Sequence, residues 1–223
     1  MKVSEAIKNR ISARAFTEKS VPIDLVKQVF RDAARSPSGG NVQPWKIVIL
    51  TEEKLAALRE IMAKRLAGEA HPSGEAPEYA VYPAKLKEPY RTARFEVGEE
   101  MYGLLGISRD EKPKRMEWFQ NNYRFFGAPA AAFCFVDREM GPPQWSDLGM
   151  YLQTAMLLFQ EHGIDTCAQE CWSFYPKTVS EFCAVPDEWM VFCGMAIGYR
   201  DTNHPVNDLR TKRLPTDDWL TVI

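Results

Sequence analysis

The sequence is poor in the residues that staple small secreted domains. It has five cysteines in 223 residues, at 134, 167, 171, 183 and 193, an odd number without the dense, even spacing of a disulfide framework. Reduced thiols are expected, with Cys134 and Cys193 reading as small hydrophobes inside strands. Histidine is scarcer still. His71, His162 and His204 are scattered, and although Cys167 and Cys171 form a C-x-x-x-C, no second pair stands at zinc-ligand spacing. No metal site is expected. Charge of one sign is missing too, since 28 Lys and Arg against 30 Asp and Glu leave a net −2, which argues against nucleic acid or an anionic membrane as partner. The longest apolar runs, 127–136 and 189–199, fall short of the roughly 20 residues of a spanning helix. The N-terminus passes from Met1-Lys2-Val3 into an amphipathic segment without an apolar h-region, so a soluble, cytoplasmic protein is expected. There is no G-x-G-x-x-G after a first strand and no G-x-x-x-x-G-K-[ST], which argues against a nicotinamide-binding Rossmann unit and a P-loop. No Ser/His/Asp or Cys/His arrangement for nucleophilic catalysis stands out.

What remains is ordinary globular composition, 45% hydrophobic and 26% charged, in a length that one domain commonly reaches, so 1–223 reads as a single domain. Residues 3–10 predict a short helix. A second follows Pro22, with apolar residues at 25, 26, 29, 30, 33 and 34 and Pro37 as its stop. Lys46 to Leu50 reads as a buried strand. Thr51 caps a helix whose Leu55, Leu58, Met62 and Leu66 share one face. Residues 68–89 hold four prolines and two glycines, which no helix or central strand tolerates, and a loop of that length is often a lid or binding segment. Helical patterning returns over 91–106 and 111–124. Ala128 to Val136 predicts a strand, and Ser146 to His162 a helix apolar nearly all round and therefore buried. Strands at 164–168, 190–199 and 219–223 complete an α+β fold, one sheet sandwiched by helices.

Three segments carry candidate chemistry. Arg10, Ser12 and Arg14 put two guanidiniums and a hydroxyl within five residues, a group able to bind a phosphomonoester through charge-assisted, bidentate bonds; a solvated helix face is the plainer alternative. In Ser36-Pro37-Ser38-Gly39-Gly40-Asn41-Val42-Gln43-Pro44-Trp45 two prolines restrict the backbone and two glycines free it, so amides and polar side chains could meet a flat polar ring, or simply form a helix-to-strand loop. The third, Asn207-Asp208-Leu209-Arg210-Thr211-Lys212-Arg213, has three cations in four residues and could equally be a surface tail.

In combination, the Arg10-Ile11-Ser12-x-Arg14 stretch, the S-P-S-G-G-N-V-Q-P-W segment opening the first long strand, a Gly-Tyr strand end and the late Arg213-Leu214-Pro215 resemble the FMN-dependent nitroreductase superfamily over essentially the whole chain. Tyr82-Pro83, Pro89-Tyr90-Arg91 and Phe126-Gly127-Ala128-Pro129 are most similar to its nitrobenzoate-reductase-like members. The resemblance implies a nitroreductase-like sandwich, a mainly antiparallel sheet flanked by helices, with the C-terminal strand exchanged in a homodimer. It implies FMN as cofactor, NADH or NADPH as electron donor, and ping-pong reduction of a small nitroaromatic, possibly nitrobenzoate, or of a quinone-like acceptor. Arg10, Ser12 and Arg213 would hold the FMN phosphate and Arg14 would lie toward N1 and O2 of the isoalloxazine. Pro37, Ser38, Gly39 and Asn41, with Gln43 beside them, would reach the ring from the partner subunit. Ala168, Gln169, Glu170 and Cys171 would line its other face. No catalytic side chain is expected, because the flavin does the chemistry. Tyr90 and Trp118 are candidate stacking residues for the acceptor, Arg91 or Arg94 could meet a substrate carboxylate, and 68–95 would be the substrate loop. Ile11 stands where a second arginine is common. Residues 168–171 lack the hydroxyl of dehalogenating relatives, which disfavours, without removing, reductive dehalogenation; a flavin-binding protein without turnover is the other alternative.

Overall fold

The computed structural model describes residues 1–68 and 74–223. Four strands form one sheet: β1 (Lys46–Leu50), β2 (Ala130–Asp137), β3 (Asp165–Gln169) and β4 (Trp189–Gly198), ordered β1-β2-β4-β3 with every neighbouring pair antiparallel. Strand alternation divides the core in two. Ala130, Ala132, Cys134 and Val136 of β2 face one cluster, and Ala131, Phe133 and Phe135 face the other. On the first face lie α2 (Ile23–Ala33), through Val26, Val29 and Phe30, and α6 (Pro142–Glu161), through Leu148, Tyr151, Leu152 and Phe159. On the second lie α3 (Glu52–Gly68), through Leu55, Leu58 and Met62, and a 3-10 segment, Asn121–Gly127, through Tyr123, Phe125 and Phe126. Trp172 and Val179 join this second cluster from the 3-10 turn Glu170–Phe174 and from α7 (Pro176–Cys183). The expected sandwich is thus found. Cys134 and Cys193 are buried opposite one another on β2 and β4, as their apolar neighbours required.

Remaining helices are α1 (Val3–Asn9), α4 (Tyr90–Leu104) and α5 (Lys112–Gln120). Several boundaries differ from the sequence reading. The helix expected over 111–124 stops at Gln120, because the chain must turn Phe125 and Phe126 into the core; both take φ 52, outside the helical range. Pro142 and Pro143 occupy the first turn of α6, four residues before the expected start, where their missing N–H groups cost no hydrogen bond. The α6 helix is buried along one side only, with Asp147, Leu148 and Tyr151 inside and Ser146, Gly149 and Met150 exposed, since one chain supplies only one sheet face to cover it. Helix α7 had no clear signal in the sequence. The strand expected at 219–223 does not form: after a 3-10 turn at Thr216–Asp218 the chain is irregular and Trp219, Leu220, Val222 and Ile223 are exposed. A strand needs a ladder neighbour, and among the described residues none pairs with this segment.

The expected 68–95 loop is shorter than anticipated, because 90–95 belong to α4; its residues 69–73 lie outside the described ones. Its first part is tied down. Glu75 accepts from Arg65 at 3.1 Å, from the Thr178 amide at 3.1 Å and from the Thr178 hydroxyl, Glu78 binds both Nη atoms of Arg138 at 2.6 and 2.9 Å, and the Tyr79 hydroxyl donates to the Phe192 carbonyl. At the far side of α4, Arg115 grips Glu99 at 2.5 and 3.2 Å and donates to the Ser108 carbonyl at 3.0 Å.

Candidate active site

The basic N-terminal segment is fixed by main-chain bonds on both sides. Ser12 bridges to Thr166 of β3, the Ala13 amide donates to the Thr166 carbonyl at 3.1 Å, and Thr17 and Asp201 exchange bonds with Tyr199 and Ala15. Asn207, buried, closes the arrangement: its Oδ1 accepts from the Arg14 amide at 2.9 Å, while its Nδ2 donates to the carbonyls of Ala15 and Asp201, both at 2.8 Å. One amide side chain therefore brings the late basic stretch against the early one. The sequence reading quoted Asn207 but gave it no role.

The result is a small cavity of about 180 Å³ lined by Arg10, Ser12, Arg14, Arg210, Thr211 and Arg213 among others. Among the described residues no acid lines it, and none of these four arginines forms an ion pair. Arg210 donates to the Asn207 and Leu209 carbonyls and Arg213 to Thr211 and Lys212, which fixes their stems and leaves the charge uncompensated. Four guanidiniums and a hydroxyl around so small a volume suit a dianionic phosphate.

Arg14 also lines the neighbouring cavity, about 470 Å³. Ala168, Gln169, Glu170 and Cys171 form one wall of it. Gln169 is buried there, its Nε2 donating to the Asn122 carbonyl at 2.7 Å while its Oε1 has no partner among the described residues. Tyr82, Tyr102, Trp118, Phe119, Phe126 and Phe174 supply an aromatic lining, with Trp118 stacked on His204 at 5.7 Å. Burial lifts the Glu170 carboxyl above its usual range and pushes the Cys171 thiol well up. Cys167 is raised by burial too, and the nearby Arg14 and Arg10 charges only partly oppose that. None of these thiols is poised as a nucleophile. Among the described residues no cluster of side chains suits a metal ion, and no helix is long and apolar enough to cross a membrane.

The structure brings Arg10, Ser12, Arg14 and Arg213 together with Ala168 to Cys171 and Trp118. It does not bring Tyr90, which is 63% exposed and lines neither cavity; Tyr82, on the preceding loop, stands in the wall instead. Of the two arginines considered for a carboxylate, Arg94 lines the large cavity while Arg91 pairs with Glu88 at 2.6 Å. Pro37, Ser38, Gly39, Asn41 and Gln43 line neither cavity. Their loop is a folded unit, with the Gly39 amide 3.3 Å from both Asp147 carboxylate oxygens and the Gln43 amide on the Ser38 hydroxyl at 3.0 Å.

The family model for the nitroreductase family matches residues 7–199. The chain belongs to the nitroreductase family. It is 31% identical over 221 residues to a chloronitrobenzene nitroreductase of Comamonas testosteroni, covering 99% of this chain and 96% of that one. A 4-nitrobenzoate reductase of Nocardioides sp. (strain LMS-CY) is 33% identical over 218 residues, 97% of this chain and 88% of the other. Among solved structures, the FMN and NADPH-dependent nitroreductase NfnB of Sphigopyxis sp. strain HMH superposes with a TM-score of 0.95 at 43% identity, covering 100% and 99% of the two chains. In this nitroreductase-family member both basic segments meet at one cavity, although they are separated by most of the chain's length.

Proposed function

We propose that this nitroreductase-family chain is a single-domain, FMN-dependent NAD(P)H oxidoreductase that reduces nitroaromatic acceptors. One observation carries the reading: a phosphate-sized cavity whose charged lining is cationic among the described residues adjoins, at Arg14, a larger cavity walled by aromatic rings and by Ala168–Cys171. That is the outline of a mononucleotide with a flat ring, and the donor set fits FMN. Relatives described as FMN and NADPH-dependent and as reducing chloronitrobenzene or 4-nitrobenzoate support the same reading.

Bound FMN would supply the redox chemistry, taking a hydride from the nicotinamide and passing electrons to the acceptor. The chain's residues hold and shape. Arg10, Ser12 and Arg213, with Arg210, bind the phosphate. Arg14 sets a fixed positive charge at the junction, where it favours negative charge on a ring held beside it. Trp118, Phe119 and Phe126 exclude water and offer faces for stacking an aromatic acceptor. Since Pro37, Ser38, Gly39, Asn41 and Gln43 stand away from both cavities, they complete the site of a second subunit in a homodimer, and the exposed 219–223 tail adds its strand to that subunit's sheet. The cytoplasm is the proposed location. The test is the absorbance spectrum of the purified protein: a yellow flavin spectrum with roughly one FMN per chain, bleached by NADH or NADPH and restored by a nitroarene. Colourless protein that takes up no FMN refutes the reading.

A further inference from the structure

Two guanidiniums reach the large cavity, and Arg14 is held at its junction with the phosphate cavity. The other, Arg94 on α4, lies over the Tyr82 ring with its central carbon 4.1 Å from the ring centroid. Most neighbouring charges are matched. Arg91 pairs with Glu88 at 2.6 Å, Glu99 with Arg115 at 2.5 Å and Glu100 with Lys212 at 3.0 Å. Glu96 lines a separate cavity between α4 and residues 211–215. Among the described residues, Arg94 has no carboxylate partner. A guanidinium stacked on one face has already lost rotamer freedom and keeps its edge donors for a bidentate contact. Glu170, on the 168–171 segment, is the one acid among the described residues of the lining, so charge disfavours an anionic group beside it and favours one beside an arginine; Arg14 is assigned to the flavin, which leaves Arg94.

We propose that Arg94, steadied by Tyr82, binds a carboxylate carried on the aromatic ring of the acceptor, so that the site prefers anionic nitroarenes over neutral ones. The inference rests on the large cavity being the acceptor site. Arg94 is exposed, so solvent screens it and the preference is modest. A charge-assisted bond is worth about 10- to 150-fold in affinity, and the lower end, about tenfold, applies here.

The test pairs ligands of one shape and different charge, on the holoprotein. Calorimetric titration with benzoate and benzamide reads binding without turnover; steady-state reduction of 4-nitrobenzoate and 4-nitrobenzamide reads catalysis. In the Arg94→Gln variant, Kd for benzoate and KM for 4-nitrobenzoate should rise about tenfold while the amides change less than about threefold. Arg94→Lys should recover part of the loss, Tyr82→Leu should give a smaller loss of the same selectivity, and added salt should weaken only the anionic ligands. Should Arg94→Gln fail to fold, Arg94→Lys and the salt series on the unmodified protein carry the same comparison. Equal changes for acid and amide, or none, overturn the proposal while leaving the nitroreductase reading intact. Benzoate selectivity lost with Arg94 in a protein that reduces no nitroarene keeps the Arg94–carboxylate contact but overturns the acceptor preference together with the nitroreductase reading.

Discussion

Replacing Gly194 by alanine should damage the enzyme by a route that can be followed atom by atom. Gly194 lies in β4 beneath Trp172. A Cβ placed there sits 2.4 Å from Cδ1 and 2.7 Å from Nε1 of Trp172, and 3.2 Å from Cε1 of Phe125, where about 3.5–4.0 Å is the favourable carbon separation. The indole has nowhere to go. It is fully buried, stacked on Phe125 at 4.8 Å and met edge-on by Phe133 at 5.1 Å and Tyr123 at 5.4 Å. Overpacking a dense core costs about 1–3 kcal/mol, and displacing a two-ring side chain by about 1 Å against three aromatic neighbours belongs at the upper end. For a chain of this size about 3 kcal/mol corresponds to a fall in Tm of roughly 6–12 °C. The damage should reach the site, because Trp172 belongs to the turn that begins at Glu170 and Cys171, so FMN retention should drop as well. Calorimetry and the flavin-to-protein absorbance ratio measure both. Gly103→Ala is the control: nothing lies within 4 Å of its added Cβ in α4, and alanine should leave Tm unchanged or raise it slightly. Trp172→Leu should partly rescue Gly194→Ala, giving a favourable coupling in a double-mutant cycle. A Gly194→Ala protein that melts within about 2 °C of the parent, against the 6–12 °C expected, would show that the steric argument is wrong.

Arg10→Ala should weaken FMN binding by about 10- to 150-fold, read by quenching of FMN fluorescence on titration into apoprotein; unchanged affinity removes Arg10 from the cradle. Arg10→Ala and Ser38→Trp should each inactivate the homodimer, yet the tagged and purified mixed dimer should regain up to about half of parental activity, because one composite site receives both intact residues. A folded, inactive mixed dimer refutes site sharing and leaves the flavin assignment untouched. Burial pushes the Cys183 and Cys193 thiols up to about 12, so iodoacetamide at pH 8 should modify them only after unfolding. The folded state holds protons that the unfolded state releases, so this contribution is complete below about pH 9 and lost as pH rises toward 12. The hydroxyls of half-buried Tyr79 and of buried Tyr123 and Tyr151 are shifted in the same direction. The urea midpoint should fall between pH 8 and pH 10, and a flat or rising one refutes the assignment.

Much of this was legible in the chain itself. The apolar run from Ala128 to Val136 marked β2 as a strand, and helices beside it followed from their apolar periodicity. Arg10, Ser12 and Arg14 were readable as an anion site only in combination with Arg213, because the contact joining the two segments spans 193 residues through a single asparagine. Other features had no local signal. Phe125 and Phe126 continue a helical pattern up to the residue where the backbone leaves it. Tyr90 and Tyr82 are alike as sequence, and only the path of an aperiodic loop decides which one faces the cavity. The 219–223 segment has strand composition, but a strand is a relation between two backbones, and no backbone among the described residues pairs with it.

The stretch between Tyr79 and Ser108 is pinned at both ends, by Glu75, Glu78 and Tyr79 on one side and by the Arg115 clasp on the other. Among the described residues it contributes Tyr82, Arg94 and Tyr102 to the large cavity and nothing to the phosphate-sized one. Those anchors make it an interchangeable part. Mutation of its cavity-lining side chains can change what the site accepts, whereas Glu100, paired with Lys212 at 3.0 Å beside the phosphate cradle, has to be kept in any graft between the same two anchor points. A lineage can therefore explore new aromatic substrates while its redox machinery is inherited unchanged.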